Sequence, residues 1–249
     1  MTSFKDHFST HAALYRDARP LPPADWFEWL AGQVPGRALA WDAGCGNGQA
    51  SAGLAAHFER VVATDPSATQ IGQAVAHPAI DYRVEAAECS SLAAGSVDLV
   101  CVSQALHRFE LEAFYAEARR VARPGALLAI TAYGNCSVER TVDALERALY
   151  ADTLGADWPP ERALVDNGYR KLPFPFAPVA APGFGMRADW DLAQFLAYLR
   201  SWSATQRHLK RTGIDPVAAA TPGLAQAWGD PDRARTVHWP FFTRVGRIA

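Results

Sequence analysis

Asp42 is followed by glycine at every second position, Gly44, Gly46 and Gly48, and a second acid, Asp65, stands about twenty residues beyond the first of them. The glycines let the backbone turn sharply and leave no Cβ between the loop and a ligand. The apolar run Ala38-Leu39-Ala40-Trp41 precedes this loop, and residues 49–57, rich in Ala and Leu, follow it as a helix. Strand, glycine loop and helix make the opening of a Rossmann-type unit. Arg60-Val61-Val62-Ala63-Thr64 is a second short strand, and Asp65 ends it where such units place the carboxylate that holds ribose hydroxyls. Alone, Asp65 reads as a helix cap and the loop as an empty turn; together they point to an adenosine-type ligand.

The elements that position these residues follow a regular order. Residues 4–16 have the apolar spacing of an amphipathic helix, and Pro22 and Pro23 open a second helix at Ala24-Asp25-Trp26-Phe27-Glu28-Trp29-Leu30. Residues 1–36 are thus expected to form a helical lid over the ligand edge. Strands are expected near 38–42, 61–64, 80–84, 97–102 and 126–132, alternating with helices in the rhythm of a parallel sheet. Residues 37–133 form the ligand-binding core of a single domain spanning 1–249. Beyond Tyr133 the rhythm changes. Helices are expected at 137–154, from Trp158-Pro159-Pro160-Glu161, at 190–209 and at 216–228, with a broken edge strand in the proline-rich 172–182. Residues 236–245 read as a final strand in which Pro240 marks an edge or bulge, and a helical cap near 186–232 separates the last two strands.

Composition narrows the function. The chain has 249 residues, 49% of them hydrophobic, enough for one enlarged α/β domain. A net charge of -2 without a basic block argues against nucleic acid and membrane surfaces as partners. The charged N-terminus is unlike a signal peptide, and the default expectation is a cytoplasmic monomer. Cys45, Cys89, Cys101 and Cys136 have neither metal-ligand nor disulfide-framework spacing, so no metal site is expected.

The glycine spacing is G-x-G-x-G, and Gln49 stands where a dinucleotide fingerprint has its third glycine. Asp42-Ala43-Gly44-Cys45-Gly46-Asn47-Gly48 resembles the first motif of the class I S-adenosylmethionine-dependent methyltransferases. The resemblance continues through Ala86-Ala87-Glu88, through Ser96-Val97-Asp98-Leu99-Val100-Cys101-Val102, and through Arg120-Val121-Ala122-Arg123-Pro124-Gly125-Ala126-Leu127-Leu128. Phe8, Ala12, Tyr15, Arg19 and Pro20, with Trp202-Ser203-Ala204 and Trp228-Gly229-Asp230-Pro231, are similar to the methyltransferase type 11 group that includes trans-aconitate methyltransferase-like proteins. Two positions depart from the pattern: Ala126 replaces a common second glycine, and Arg108 replaces the Trp that often follows the histidine. The resemblance implies a Rossmann-like α/β fold with a seven-stranded, mostly parallel sheet, an antiparallel edge strand, N-terminal helices and a helical cap. It implies S-adenosylmethionine as cofactor, S-adenosylhomocysteine as product, and a small-molecule acceptor.

By the same resemblance, Asp42, Gly44, Gly46 and Gly48 hold the methionine side of the donor, Asp65 the ribose, and Ala87 and Glu88 the adenine. Gln104 and His107 follow the fourth strand, where the carboxyl edge of the sheet faces the ligand. His107 is the candidate base for a hydroxyl acceptor, with a purely hydrogen-bonded histidine as the alternative, and Tyr15 is a second catalytic candidate. A carboxylate acceptor needs no base but needs a cationic clamp, for which Arg108, Arg200 and Arg207 are candidates, with Trp202 lining the pocket. Ser103-Gln104-Ala105-Leu106 occupies the place where methyltransferases of DNA bases carry Asn/Asp-Pro-Pro-aromatic, which argues against that substrate. A non-catalytic donor-binding protein and an NAD-dependent oxidoreductase are the remaining alternatives.

Overall fold

The computed structural model describes residues 18–248. Tyr15, with Phe8, Ala12 and the helix expected at 4–16, lies outside the described residues. Helix α1 (Ala24–Gln33) leads into β1 (Leu39–Ala43), α2 (Gln49–Ala55), β2 (Arg60–Thr64), the single turn α3 (Ala68–Ile71) and β3 (Ile80–Arg83). Then come β4 (Val97–Ser103), a 3-10 turn at Leu106–Arg108, α4 (Leu111–Val121) and β5 (Ala122–Tyr133). These five strands fall where the sequence places them.

They form one sheet of order β3-β2-β1-β4-β5, extended by β9 (Phe241–Arg247) and β6 (Ala177–Val179) to seven strands. β1 pairs in parallel with β2 and β4, while β9 runs antiparallel to both β5 and β6. The antiparallel strand is therefore one place in from the margin, and the short proline-containing β6 covers it. Alternation along the strands sorts side chains onto two faces. Ala40, Leu99, Cys101 and Leu127 pack with Trp26, Leu30 and Leu54 of α1 and α2. Trp41, Val100, Val102 and Leu128 pack with Phe114, Ala118 and Val121 of α4 on the other face. Burial on both faces is why these strands read as continuous apolar runs.

After β5 the chain builds a second core. Helix α5 (Arg140–Arg147) runs into a π-helical turn at Ala148–Thr153, and α6 (Arg162–Asp166) leads toward β6. Strand β7 (Met186–Trp190) is followed by α7 (Leu192–Arg200), α8 (Ser203–Thr212), α9 (Pro216–Trp228) and β8 (Arg235–Trp239). β7 and β8 form a separate two-stranded antiparallel sheet. Val142, Leu149, Phe195, Leu199, Trp202, Trp228 and Trp239 share this core. The cap is thus larger than the insertion expected at 186–232, and it contains strands as well as helices.

Two further boundaries differ from expectation. Residues 236–245 do not form one strand: Pro240, which has no N–H to give a ladder, separates β8 in the small sheet from β9 in the large one. The helix expected at 190–209 breaks after Arg200. There Thr205 Oγ1 donates to Leu199 O at 2.8 Å and Gln206 Nε2 donates to Arg200 O at 2.6 Å, satisfying carbonyls that a continuing helix would have used. Among the described residues no helix is long and apolar enough to cross a membrane.

Candidate active site

A cavity of about 650 Å³ opens at the carboxyl ends of β1, β2 and β4, within the size range of ligand sites. Its floor is the glycine loop. Gly44 N and Cys45 N donate to Thr64 O at 2.8 and 2.9 Å, anchoring the loop to the end of β2. Gly46 N donates to Asp65 Oδ2 and Ser67 N donates to Asp65 Oδ1, each at 2.9 Å. Asp65 therefore holds the loop in shape besides facing the cavity, a role its position at a strand end did not announce. Gly44 has φ +71°, and a Cβ there would stand 2.6 Å from the Ala105 methyl, so glycine is required by both backbone and neighbour. Gly48, at φ +89°, does not line the cavity; it caps α2 and lies against the Tyr82 ring. It sets the turn from the loop into α2.

Asp42 is completely buried, and Ser51 Oγ donates to its Oδ2 at 2.6 Å. Burial, reinforced by the charge of Asp65, pushes its carboxyl up to about 7 against the opposing Ser51 hydrogen bond. Among the described residues, Asp42 Oδ1, Asn47 Nδ2, Gln70 Oε1 and Gln104 Oε1, buried around the cavity, find no hydrogen-bond partner. Such atoms are costly unless a ligand or water satisfies them. The donor set of acids, amides and backbone fits the amino acid and nucleoside portions of S-adenosylmethionine, and Asp42 and Asn47 could hold the former. Gln104 has φ +54°, unusual for a side-chain-bearing residue, and its Nε2 donates to Tyr133 O at 3.2 Å. Strain at the end of β4 thus turns its amide into the wall. Ala87 is buried there, and Glu88 Oε1 accepts from Glu110 N at 2.9 Å.

Beyond Gln104 the lining carries residues expected to meet the acceptor. His107 Nδ1 lies 2.8 Å from Tyr169 Oη, and burial, with the charges of Arg108 and Arg162, presses its pKa down to about 3. Arg108 lines the cavity, together with Arg19 and Arg162. Arg19 Nη2 donates to Ser201 O at 2.8 Å and Nη1 to Tyr133 Oη at 3.2 Å, tying the segment before α1 to β5 and to the break between α7 and α8.

Three expected acceptor contacts are not part of the lining. Arg200 is drawn to Asp215, the N-cap of α9, with Nε 3.0 Å from Oδ2. Arg207 is exposed on α8. Trp202, 2% exposed, packs among Tyr150, Trp158 and Tyr198 in the cap core. Trp158, Glu161 and Arg162 occupy the wall instead. The motif Trp158-Pro159-Pro160-Glu161 marked a helix start, and nothing in its local pattern said that the helix would face a ligand. Asn47 was visible within the glycine loop, flanked by Gly46 and Gly48. Among the described residues no group of three or more His, Cys, Asp or Glu is placed to hold a metal ion.

Comparison with known proteins agrees with this geometry. Residues 41–130 match the family described as methyltransferase domain. A Dictyostelium discoideum protein assigned as a methyltransferase is 31% identical over 235 residues, covering 93% of this chain and 89% of its own. The solved structure of a protein from Anaeromyxobacter dehalogenans, assigned as a type II methyltransferase, is 49% identical with a TM-score of 0.86, covering 92% of this chain and 98% of that one. A methyltransferase structure from Anabaena variabilis, 18% identical with a TM-score of 0.51 and covering 88% and 98% of the two chains, shares the fold. The glycine cradle, the strand order and these relatives together make the chain a member of the class I S-adenosylmethionine-dependent methyltransferases.

Proposed function

We propose that the enzyme transfers a methyl group to a carboxylate oxygen of a small organic acid. The observation that carries this reading is His107. A histidine whose pKa is pressed to about 3 is neutral at physiological pH but a weak base, poorly matched to deprotonating a hydroxyl. A carboxylate arrives already ionised, and the guanidinium groups of Arg108 and Arg162, whose charges both reach His107 in the lining, are suited to hold it. Arg19 and Pro20, with Trp202-Ser203-Ala204, support placing the chain in the trans-aconitate methyltransferase-like group.

S-adenosylmethionine supplies an electrophilic methyl carbon on a sulfonium sulfur when bound. Asp42 and Asn47, with the glycine loop, hold its amino acid end; Asp65 receives the ribose and Ala87 and Glu88 the adenine. The side chains near β4 orient the acceptor, and in-line displacement requires little beyond alignment and exclusion of water. His107, fixed by Tyr169, shapes the acceptor side rather than moving a proton. The acceptor is a small molecule, with neither nucleic acid nor membrane as partner, and the enzyme works in the cytoplasm.

The test is a mass-spectrometric screen of cell extract with methyl-labelled S-adenosylmethionine, run with wild type and His107→Gln. Labelled carboxylic esters formed by both proteins, with kcat within about tenfold, are expected. Labelled ethers, or loss of turnover beyond about 100-fold in His107→Gln, would point to a hydroxyl acceptor and His107 as general base.

A further inference from the structure

The Arg162 guanidinium is used differently from that of the comparably buried Arg235, which puts Nε, Nη1 and Nη2 into hydrogen bonds to Trp228 O and Glu139. The Arg162 side chain is only 16% exposed, yet its hydrogen bonds within the protein come from Nε alone: to Asp166 Oδ1 at 2.7 Å and to Tyr150 Oη at 3.1 Å. Its guanidinium carbon lies 5.0 Å from the Trp158 ring centre and 5.5 Å from that of Tyr150. The head is therefore held from its Nε edge and by aromatic rings, while Nη1 and Nη2 have no acceptor among the described residues. Arg162 also lines the cavity, and its charge is felt by His107 at the end of β4.

A guanidinium held on its Nε edge by Asp166 and Tyr150, with its two NH2 groups left over beside the cavity, is preorganised to receive a second anion. The Nη1 and Nη2 pair matches the two oxygens of a carboxylate, and preorganisation from the Nε side reduces the ordering cost of binding. We propose that Arg162 is the anion-binding residue of the acceptor site, fixing the acidic substrate through Nη1 and Nη2 while Asp166, Tyr150 and Trp158 hold its fork in place. The inference rests on the carboxylate reading of the acceptor and assigns recognition to the segment between β5 and β6. It replaces Arg200 and Arg207, which the cavity does not include.

The experiment titrates the S-adenosylhomocysteine-loaded protein calorimetrically with butyrate, glutarate and benzoate, and with butyramide as the neutral counterpart. Wild type is expected to bind at least one acid more tightly than the amide. Arg162→Gln should weaken that acid at least tenfold, about 1.4 kcal/mol, leaving butyramide and S-adenosylhomocysteine affinities within about twofold, since only the acid loses a charge-assisted pair. Arg162→Lys keeps the charge without the fork and should fall between. Asp166→Asn, which leaves the guanidinium but loosens its Nε edge, guards against loss of folding in the other variants and should weaken the acid less than Arg162→Gln. Equal acid affinity in wild type and Arg162→Gln, or no preference for any acid over the amide in wild type, would overturn the proposal. Label transfer separates the two readings. Acid binding that depends on Arg162 without ester formation would sink the carboxylate-transfer reading alone, whereas ester formation with an unchanged KM in Arg162→Gln would sink the role of Arg162 alone.

Discussion

Replacing Gly44 by Ala tests whether the glycine loop is shaped for the donor or is merely a turn. Gly44 sits at φ +71°, and an added Cβ would lie 2.6 Å from the Ala105 methyl and 2.9 Å from Phe109 Cζ. The left-handed conformation costs an L-residue about 1–2 kcal/mol. Overpacking against a methyl fixed to the backbone costs about 1–3 kcal/mol more. The sum, about 2–5 kcal/mol, appears in one of two places. If the loop keeps its geometry, the protein loses that much stability; if it relaxes, the donor must restore it, and affinity falls about 30-fold or more. Calorimetric titration with S-adenosylhomocysteine, paired with denaturant unfolding, reads both. The double variant Gly44→Ala/Ala105→Gly removes the contact with Ala105 but keeps the backbone strain, so it should recover part of the loss relative to Ala105→Gly alone. Unchanged affinity and unchanged stability in Gly44→Ala would refute the reasoning.

Other expectations follow from the site's electrostatics and packing. The folded-state pKa of His107, about 3, lies below the ordinary 6.5, so on acidification the unfolded chain takes up this proton first. Its effect on stability is absent above about pH 7 and grows between 6.5 and 3, reaching about 2 kcal/mol of destabilisation at pH 5; His107→Asn should remove that part of the pH slope in unfolding experiments. Donor affinity should weaken as pH falls through about 7 and Asp42 takes up a proton, and Asp42→Asn should flatten this dependence while lowering affinity about tenfold or more in calorimetry at pH 8. Arg200→Met should leave acceptor KM unchanged and cost at most about 1 kcal/mol of stability, because its partner Asp215 is a partly exposed cap.

The part of the site built from contiguous chain was legible in the sequence. The loop from Asp42 to Gly48, the acid ending β2 and the apolar strands all express their roles locally, since a buried parallel strand is apolar throughout and a tight cradle needs glycine. What the sequence could not display was pairing at a distance. Arg200 and Arg162 are chemically alike, and only the fold sends one to Asp215 and the other to the cavity wall. Trp202 stands in a motif that reads as pocket lining, yet its indole has Tyr150, Trp158 and Tyr198 as neighbours. Pro240 carried its signal plainly, and the reading of an edge or bulge within one strand fell short because the same residue can end one sheet and begin another. Strand β7 was hidden within the expected helical cap because Met186–Trp190 is short and its partner β8 lies far along the chain.

The most direct test of methyl transfer to a carboxylate is alkaline treatment of the labelled product. Enzyme, methyl-labelled S-adenosylmethionine and a fractionated pool of small organic acids are incubated together, and the extracted product is warmed in mild base. An ester releases its label as volatile methanol, with dependence on active enzyme, and this is the predicted result. Label that stays with the product in base, as an ether or methylamine would hold it, contradicts the account.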